Sequence, residues 1–304
     1  MKKEPLLFRG SGVALITPFS ADGKIDFDTL GRLIENQIAG GTDALIVCGS
    51  TGESAVLSDK EKLSLIEYTV WKANHRIPVI AGTGSNDTAH CVALTKGAQA
   101  MGADGVLSVC PYYNKPTDEG LLRHYTEIAD CSGLPVILYN VPSRTGKTLS
   151  TNVVKRLAAH KNIIGIKQAD PSLSAAADLF AACGDEIAIY AGDDAGTVPF
   201  LSLGGQGVIS VAANLLPHTI HTMCQNWFDG NTAAARETQL RLMPLISALF
   251  IQTNPIPVKA AMEEIGYPRQ FLRLPLTPAN DATRTQLTET LKEWIDSKTG
   301  TEKK

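Results

Sequence analysis

Lys167 stands in the segment Gly165-Ile-Lys-Gln-Ala-Asp170, directly after the apolar run that starts at Ile163. A lysine on a strand with apolar neighbours is costly to keep charged, so burial there favours the neutral amine. A neutral amine can attack a ketone and form an imine. The protonated imine is an electron sink. With a small 2-keto acid, it would let the α-methyl group lose a proton and become a carbon nucleophile. The bland alternative is a strand-end lysine paired with a carboxylate or turned to solvent, and this segment alone does not choose between them.

Other candidate groups recur where apolar runs give way to polar, glycine-rich stretches. Tyr139 opens Tyr139-Asn-Val-Pro-Ser-Arg-Thr-Gly146, and its phenol could shuttle protons to and from a carbinolamine or an enamine. Ser50 and Thr51, in Gly49-Ser-Thr-Gly-Glu53, and Tyr113, in Pro111-Tyr-Tyr-Asn-Lys-Pro116, could relay them onward. The amides of Gly49 to Gly52 could also hold a carboxylate, because a glycine-rich turn leaves N–H groups unobstructed. Turn-making or capping explains each single hydroxyl equally well. Arg144 could grip a substrate carboxylate with two parallel hydrogen bonds, or form a surface ion pair. The six histidines include no HExxH-type pair. His218 and His221, three apart on an expected helix, read as exposed.

The elements that must position these groups follow a regular rhythm. Mostly apolar runs are expected as strands at Val13–Thr17, Ala44–Cys48, Val79–Ala81, Gly105–Val109, Val136–Tyr139, Ile163–Ile166, Ile187–Tyr190 and Val208–Val211. Consecutive apolar positions suit strands buried on both faces of a parallel sheet. Helical periodicity lies between them. Leu30, Leu33, Ile34 and Ile38 share one face, Ser58 caps an acidic first turn, and Asp87 to Met101 and Glu119 to Cys131 follow the same plan. Eight strands alternating with helices fit an α/β fold of the closed (β/α)8 kind, a TIM barrel. An open doubly wound sheet is the alternative, but no GxGxxG follows the first strand. Gly82-Thr-Gly-Ser-Asn86 is only a fragment of it and reads as a βα turn. The polar ends of strands two, four, five, six and seven would then gather at the C-terminal face of the barrel.

Beyond about residue 215 the strand signal stops. Helices are expected at Pro217–Phe228, Thr232–Phe250, Pro257–Ile265 and Ala282–Ser297. The expected division is a catalytic barrel over residues 1–230 and a small C-terminal helical domain over 231–304, with the last residues, SKTGTEKK, frayed.

Composition narrows the classes. The chain has 304 residues, 44% of them hydrophobic and 19% charged, with a net charge of -3. No basic stripe argues for nucleic acid. The six cysteines are scattered with no CxxC pair, and read as reduced and buried. The N-terminal MKKEPLLFRG has too short an apolar core for a signal peptide, and no run is long enough to span a bilayer. The expected location is the cytoplasm.

Taken together, GSTGE, PYYNKP, YNVPSRTG, GIKQAD, GDD and NPIPVK occur in the order and spacing of the dihydrodipicolinate synthase family, and the chain resembles it over about residues 8 to 280. Each motif alone is shared across the pyruvate-dependent class I aldolases; the set is specific. The resemblance implies that Lys167 forms the Schiff base with pyruvate and that Tyr139 donates and accepts protons. Thr51 and Tyr113 match the other relay hydroxyls, with Tyr113 reaching into a neighbouring subunit's site. Arg144 would bind the carboxylate of aspartate 4-semialdehyde, and Ile209 would contact pyruvate through its backbone. Gly192 is added as a substrate contact at the end of strand seven. The implied reaction is condensation and cyclisation to hydroxytetrahydrodipicolinate, on the route to diaminopimelate and lysine. The implied assembly is a homotetramer built as a dimer of dimers. No cofactor, metal, nucleic acid or membrane is implied.

Two departures from the family pattern matter. Ser50 stands where the family usually has threonine. The GSTGE form is common in N-acetylneuraminate lyase, which shares the lysine and tyrosine, so that lyase or a 2-keto-3-deoxy sugar-acid aldolase is the alternative. Arg144 favours the synthase, because those relatives generally lack it. Feedback is the second departure. Lysine-inhibited members bind lysine with residues matching Ser54, Ala55, Asp59, Lys62, Asn86, His90 and Tyr112. Inhibitable bacterial forms have glutamate at the position of His90 and histidine at that of Lys62. Both are basic here, which predicts weak or absent inhibition by lysine.

Overall fold

The computed structural model describes residues 6–295 and 302–303. Eight parallel strands close a barrel in sequence order. They are β1 (Gly10–Ala14), β2 (Ala44–Val47), β3 (Val79–Gly82), β4 (Gly105–Val109), β5 (Val136–Asn140), β6 (Ile163–Gln168), β7 (Ala188–Ala191) and β8 (Gly207–Ser210). Helices α1 (Phe27–Ala39), α2 (Asp59–Ala73), α3 (Thr88–Ala100) and α4 (Asp118–Asp130) follow the first four strands. A single turn, α5 (Pro142–Thr145), and then α6 (Thr151–Ala158) follow β5. Next come α7 (Leu173–Cys183), α8 (Thr197–Ser202) and α9 (Pro217–Phe228), the last of these after β8. Three more, α10 (Thr232–Leu249), α11 (Ile256–Glu264) and α12 (Asp281–Leu291), make the C-terminal helical region. Among the described residues, no helix is long and apolar enough to cross a membrane.

Two packed layers explain why the runs are apolar throughout. One cluster fills the barrel, with Ala14, Ile46, Ile80, Leu107, Ile137, Tyr139, Ala188, Tyr190 and Ile209 pointing inward. A larger cluster fills the space between strands and helices. Phe8, just before β1, stacks on Tyr190 at 4.4 Å, and the Tyr190 hydroxyl donates to the Phe8 carbonyl at 2.8 Å. Helix starts follow the expected chemistry. Ser58 and Glu61 form a reciprocal capping box on α2, and Asp87 caps α3.

The departures from the expected elements have local causes. The first strand is Gly10–Ala14 rather than Val13–Thr17, because the barrel needs small residues there. A Cβ on Gly12 would lie 2.8 Å from Ile46 Cδ1, and one on Gly207, across the β1–β8 seam, 1.9 Å from the Gly10 carbonyl oxygen. Glycine has low strand propensity, so packing overrides it. The second strand stops at Val47, since Cys48 has φ 58° and leaves the ladder. β3 and β5 run one residue and β6 two residues past their expected ends, and β7 and β8 are each shifted by one. His221 is half-buried rather than exposed, with Nδ1 3.0 Å from the Asp43 carboxylate. All six cysteines are free, and all but Cys131 are buried.

At the C-terminus the expected helix over 282–297 ends at Leu291, and residues 296–297 lie outside the described residues. Of the tail expected to fray, Glu302 is docked. It forms a bridge with Ile295 and accepts from the amides of His218 and Thr219 at the start of α9. A carboxylate satisfies the free N–H groups of a helix N-terminus and complements its dipole. Residues 1–5, within the segment read for a signal peptide, lie outside the described residues as well.

Candidate active site

A β-bulge aims Lys167. At the start of the β5–β6 ladder Val136 pairs with Ile163, but the next pair is Ile137 with Gly165, so β6 carries one extra residue. The shift puts Lys167 opposite Tyr139, which points into the barrel. Without it Lys167 would face Asn140, whose side chain points outward to Gln168 and the Leu149 amide. Lys167 is 5% exposed, with Nζ 4.5 Å from the centroid of the Tyr139 ring. On its other side β7 pairs Tyr190 with it. The Tyr190 hydroxyl is already spent on Phe8, and burial pushes its pKa up, which leaves Tyr139 as the phenol beside the amine.

Next to this pair the turn after β2 is held from several directions. Its Gly52 and Glu53 amides bond back to Gly49 and Ser50, whereas those of Ser50 and Thr51 hydrogen-bond to no described residue. The Gly52 carbonyl accepts from Thr17 Oγ1 at 2.7 Å. Thr51 is buried, and its Oγ1 accepts from Asn254 Nδ2 at 2.9 Å. Glu53 adopts a left-handed backbone, φ 55°, and its buried carboxylate accepts from Lys259 Nζ and from the Arg273 amide. Lys259 also donates to the Phe271 carbonyl, and burial lowers its pKa to about 8.

Arg144 sits on the single turn α5 and forms no ion pair with a described residue. Its Nη2 donates to the Asn254 carbonyl at 2.9 Å. A cavity of about 620 Å³ opens here, lined by Gly49, Ser50, Tyr139, Arg144, Asn254 and Pro255 among others. It extends along Asp59, Lys62, Ser85, Asn86, His90 and Tyr112. Thus Ser50, Tyr139 and Arg144 line the cavity. Lys167 and Thr51 lie one layer behind, in contact with Tyr139 and Asn254 respectively.

Tyr113 is not brought to this group within one chain. It is 89% exposed with φ 70°. Ile209 lies in the barrel interior near Tyr139 and Tyr190. Gly192 donates its amide to the Gln168 carbonyl at 2.7 Å, and a Cβ there would lie 2.7 Å from Ala169 Cβ. Its evident work is to let the ends of β6 and β7 approach closely.

Sequence reasoning assigned no role to several positioning residues. Asp194 is buried and accepts from Ser210 Oγ and the Val211 amide, which ties β7 to β8; burial raises its pKa against these hydrogen bonds. Asn254, Glu53 and Lys259 were legible only as letters within NPIPVK and GSTGE.

The family model for the Dihydrodipicolinate synthetase family matches residues 7–294. The chain belongs to this family. It is 46% identical over 288 residues to the 4-hydroxy-tetrahydrodipicolinate synthase of Geobacter metallireducens, covering 95% of this chain and 99% of that one. Among solved structures, the Thermotoga maritima dihydrodipicolinate synthase superposes with a TM-score of 0.93 at 41% identity, covering 95% of this chain and 99% of that one. The Cyanidioschyzon merolae enzyme, solved with lysine bound, gives 0.92 at 38% identity, covering 95% and 98%.

Proposed function

We propose that this protein is a Schiff-base lyase that condenses pyruvate with L-aspartate 4-semialdehyde to give 4-hydroxy-tetrahydrodipicolinate and water. The observation that carries the reading is the in-register pairing of Lys167 with Tyr139, amine against ring, behind a cavity walled by Arg144. Lys167 Nζ attacks C2 of pyruvate, and the carbinolamine loses water to become a protonated imine. The pyruvate carboxylate rests against the free amides of Ser50 and Thr51. Tyr139 accepts a proton from C3, and the resulting enamine attacks the aldehyde carbon. Arg144 holds the carboxylate of the semialdehyde. The amino group of that substrate then displaces Lys167 from C2 and closes the ring.

Tyr113 completes the relay from a second copy, and its near-complete exposure in one chain supports a dimer that buries it. A dimer of dimers in the cytoplasm, serving diaminopimelate and lysine synthesis, belongs to the same proposal, as do the backbone contact of Ile209 with pyruvate and a carbonyl contact from Gly192. The test is borohydride reduction in the presence of pyruvate. An adduct on Lys167, with faster turnover of the semialdehyde than pyruvate release from sialic or 2-keto-3-deoxy sugar acids, is expected. An adduct on another lysine, or faster cleavage of a sugar acid, would sink the reading.

A further inference from the structure

Asn254 touches two groups that the proposed reaction uses on different substrates, and the role assigned to it here rests on that proposed function. Its side chain is buried, 6% exposed, in the cavity wall. Nδ2 donates to Thr51 Oγ1 at 2.9 Å, and the backbone carbonyl of Asn254 accepts from Arg144 Nη2 at the same distance. A hydroxyl carries one proton and two acceptor sites. Because Thr51 accepts from Asn254, its own proton is not spent on that bond and remains for another acceptor. The opposite amide orientation would also make one hydrogen bond to Thr51, but it would consume the proton. The orientation present leaves Asn254 Oδ1 buried with no partner among the described residues. The opposite orientation would leave Nδ2 unpaired instead, so what the orientation decides is the direction of the Thr51 hydroxyl.

We infer that Asn254 is a positioning residue that sets the direction of the Thr51 hydroxyl, so that Thr51 donates into the proton relay. When the carbinolamine collapses, its C–O bond breaks and the leaving hydroxyl takes up a proton. Thr51 gives its proton and receives one from Tyr139, whose phenolate regains a proton from C3 in the next step, so the relay is restored over the two steps. The Asn254 amide stabilises the Thr51 oxygen while its proton is in flight.

The experiment compares wild type, Asn254→Ala, Asn254→Asp, Thr51→Val and the Asn254→Ala/Thr51→Val double variant. Measured are kcat, both KM values, pH profiles and borohydride trapping. Asn254→Ala is expected to lower kcat by about 10²-fold, the scale of a single proton-transfer group, with the KM for pyruvate unchanged. The double variant is expected to be no slower than Thr51→Val alone. The aspartate variant keeps the shape if the alanine variant does not fold. Its carboxylate can only accept, so it captures the Thr51 proton. Its kcat relative to wild type should climb as pH falls and the carboxyl becomes a donor. Losses that multiply in the double variant, a wild-type kcat in Asn254→Ala, or a ratio flat with pH for Asn254→Asp would overturn the inference alone. Absence of the Lys167 adduct in wild type would overturn the proposed function, and this inference with it.

Discussion

Lys259 reaches from α11 to the Glu53 carboxylate at the end of the β2 turn, and both side chains are 1% exposed. The pair joins the C-terminal helical region to the turn that carries Ser50 and Thr51. Removing one partner strands the other charge in the interior. Lys259→Met is therefore expected to cost about 3–5 kcal/mol of stability, read as a lower denaturant midpoint. Glu53→Gln in the same chain should restore much of it. Equal losses in the single and double variants would contradict this account.

Arg144 has no carboxylate partner among the described residues, so its guanidinium is available to a ligand. Arg144→Ala should raise the KM for the semialdehyde about ten- to hundredfold, the worth of hydrogen bonds to a charged group. Pyruvate trapping on Lys167 should be unaffected. A loss of trapping of the same size would show that Arg144 acts on the first substrate instead.

Two histidines set opposite pH dependences of stability. The hydrogen bond to Asp43 raises the pKa of His221 above 6.5, so its contribution is complete below 6.5 and is lost as pH rises through the raised value. Burial lowers that of His124 to about 4, so its contribution is complete above 6.5 and is lost as pH falls toward 4. Melting temperature against pH should therefore drop for His221→Gln mainly on the acidic side. In His124→Gln the acid limb between about 4 and 6.5 should flatten. Parallel curves for the variants and wild type would refute both assignments.

Free lysine should inhibit weakly or not at all. His90 Nε2 lies 2.9 Å from Asp59, and Lys62 Nζ 3.8 Å from the same carboxylate. The Asp59 carboxylate is thus already engaged by both side chains, and a cationic ligand arriving beside them meets the charge of Lys62 first. A coupled assay with added lysine checks this, with potent submillimolar inhibition as the contrary result. Combining His90→Glu with Lys62→His is expected to introduce sensitivity.

Much of the molecule was legible in the chain and some was not, for physical reasons. The barrel could be read because strands buried on both faces need continuous apolar runs, and Lys167 and Tyr139 could be read because each ends such a run. The partners that hold the site lie far away in sequence. Asn254 is 203 positions from Thr51 and Lys259 is 206 from Glu53, and no local pattern links them. The start of β1 was obscured because packing demands glycine where propensity resists it. His221 and Glu302 were misplaced because their environments come from distant elements, Asp43 and the start of α9.

The extra residue in β6 makes the chemistry a matter of counting. Loss of Ile166, the residue between Gly165 and Lys167, would set Lys167 opposite Leu138, whose side chain packs in the layer between strands and helices. The amine would then turn from the barrel axis toward the helical layer. A chain so shortened could keep its shape, its lysine and its tyrosine, yet be inert. Within this architecture, activity can vanish through a one-codon deletion that substitutes no residue of the site.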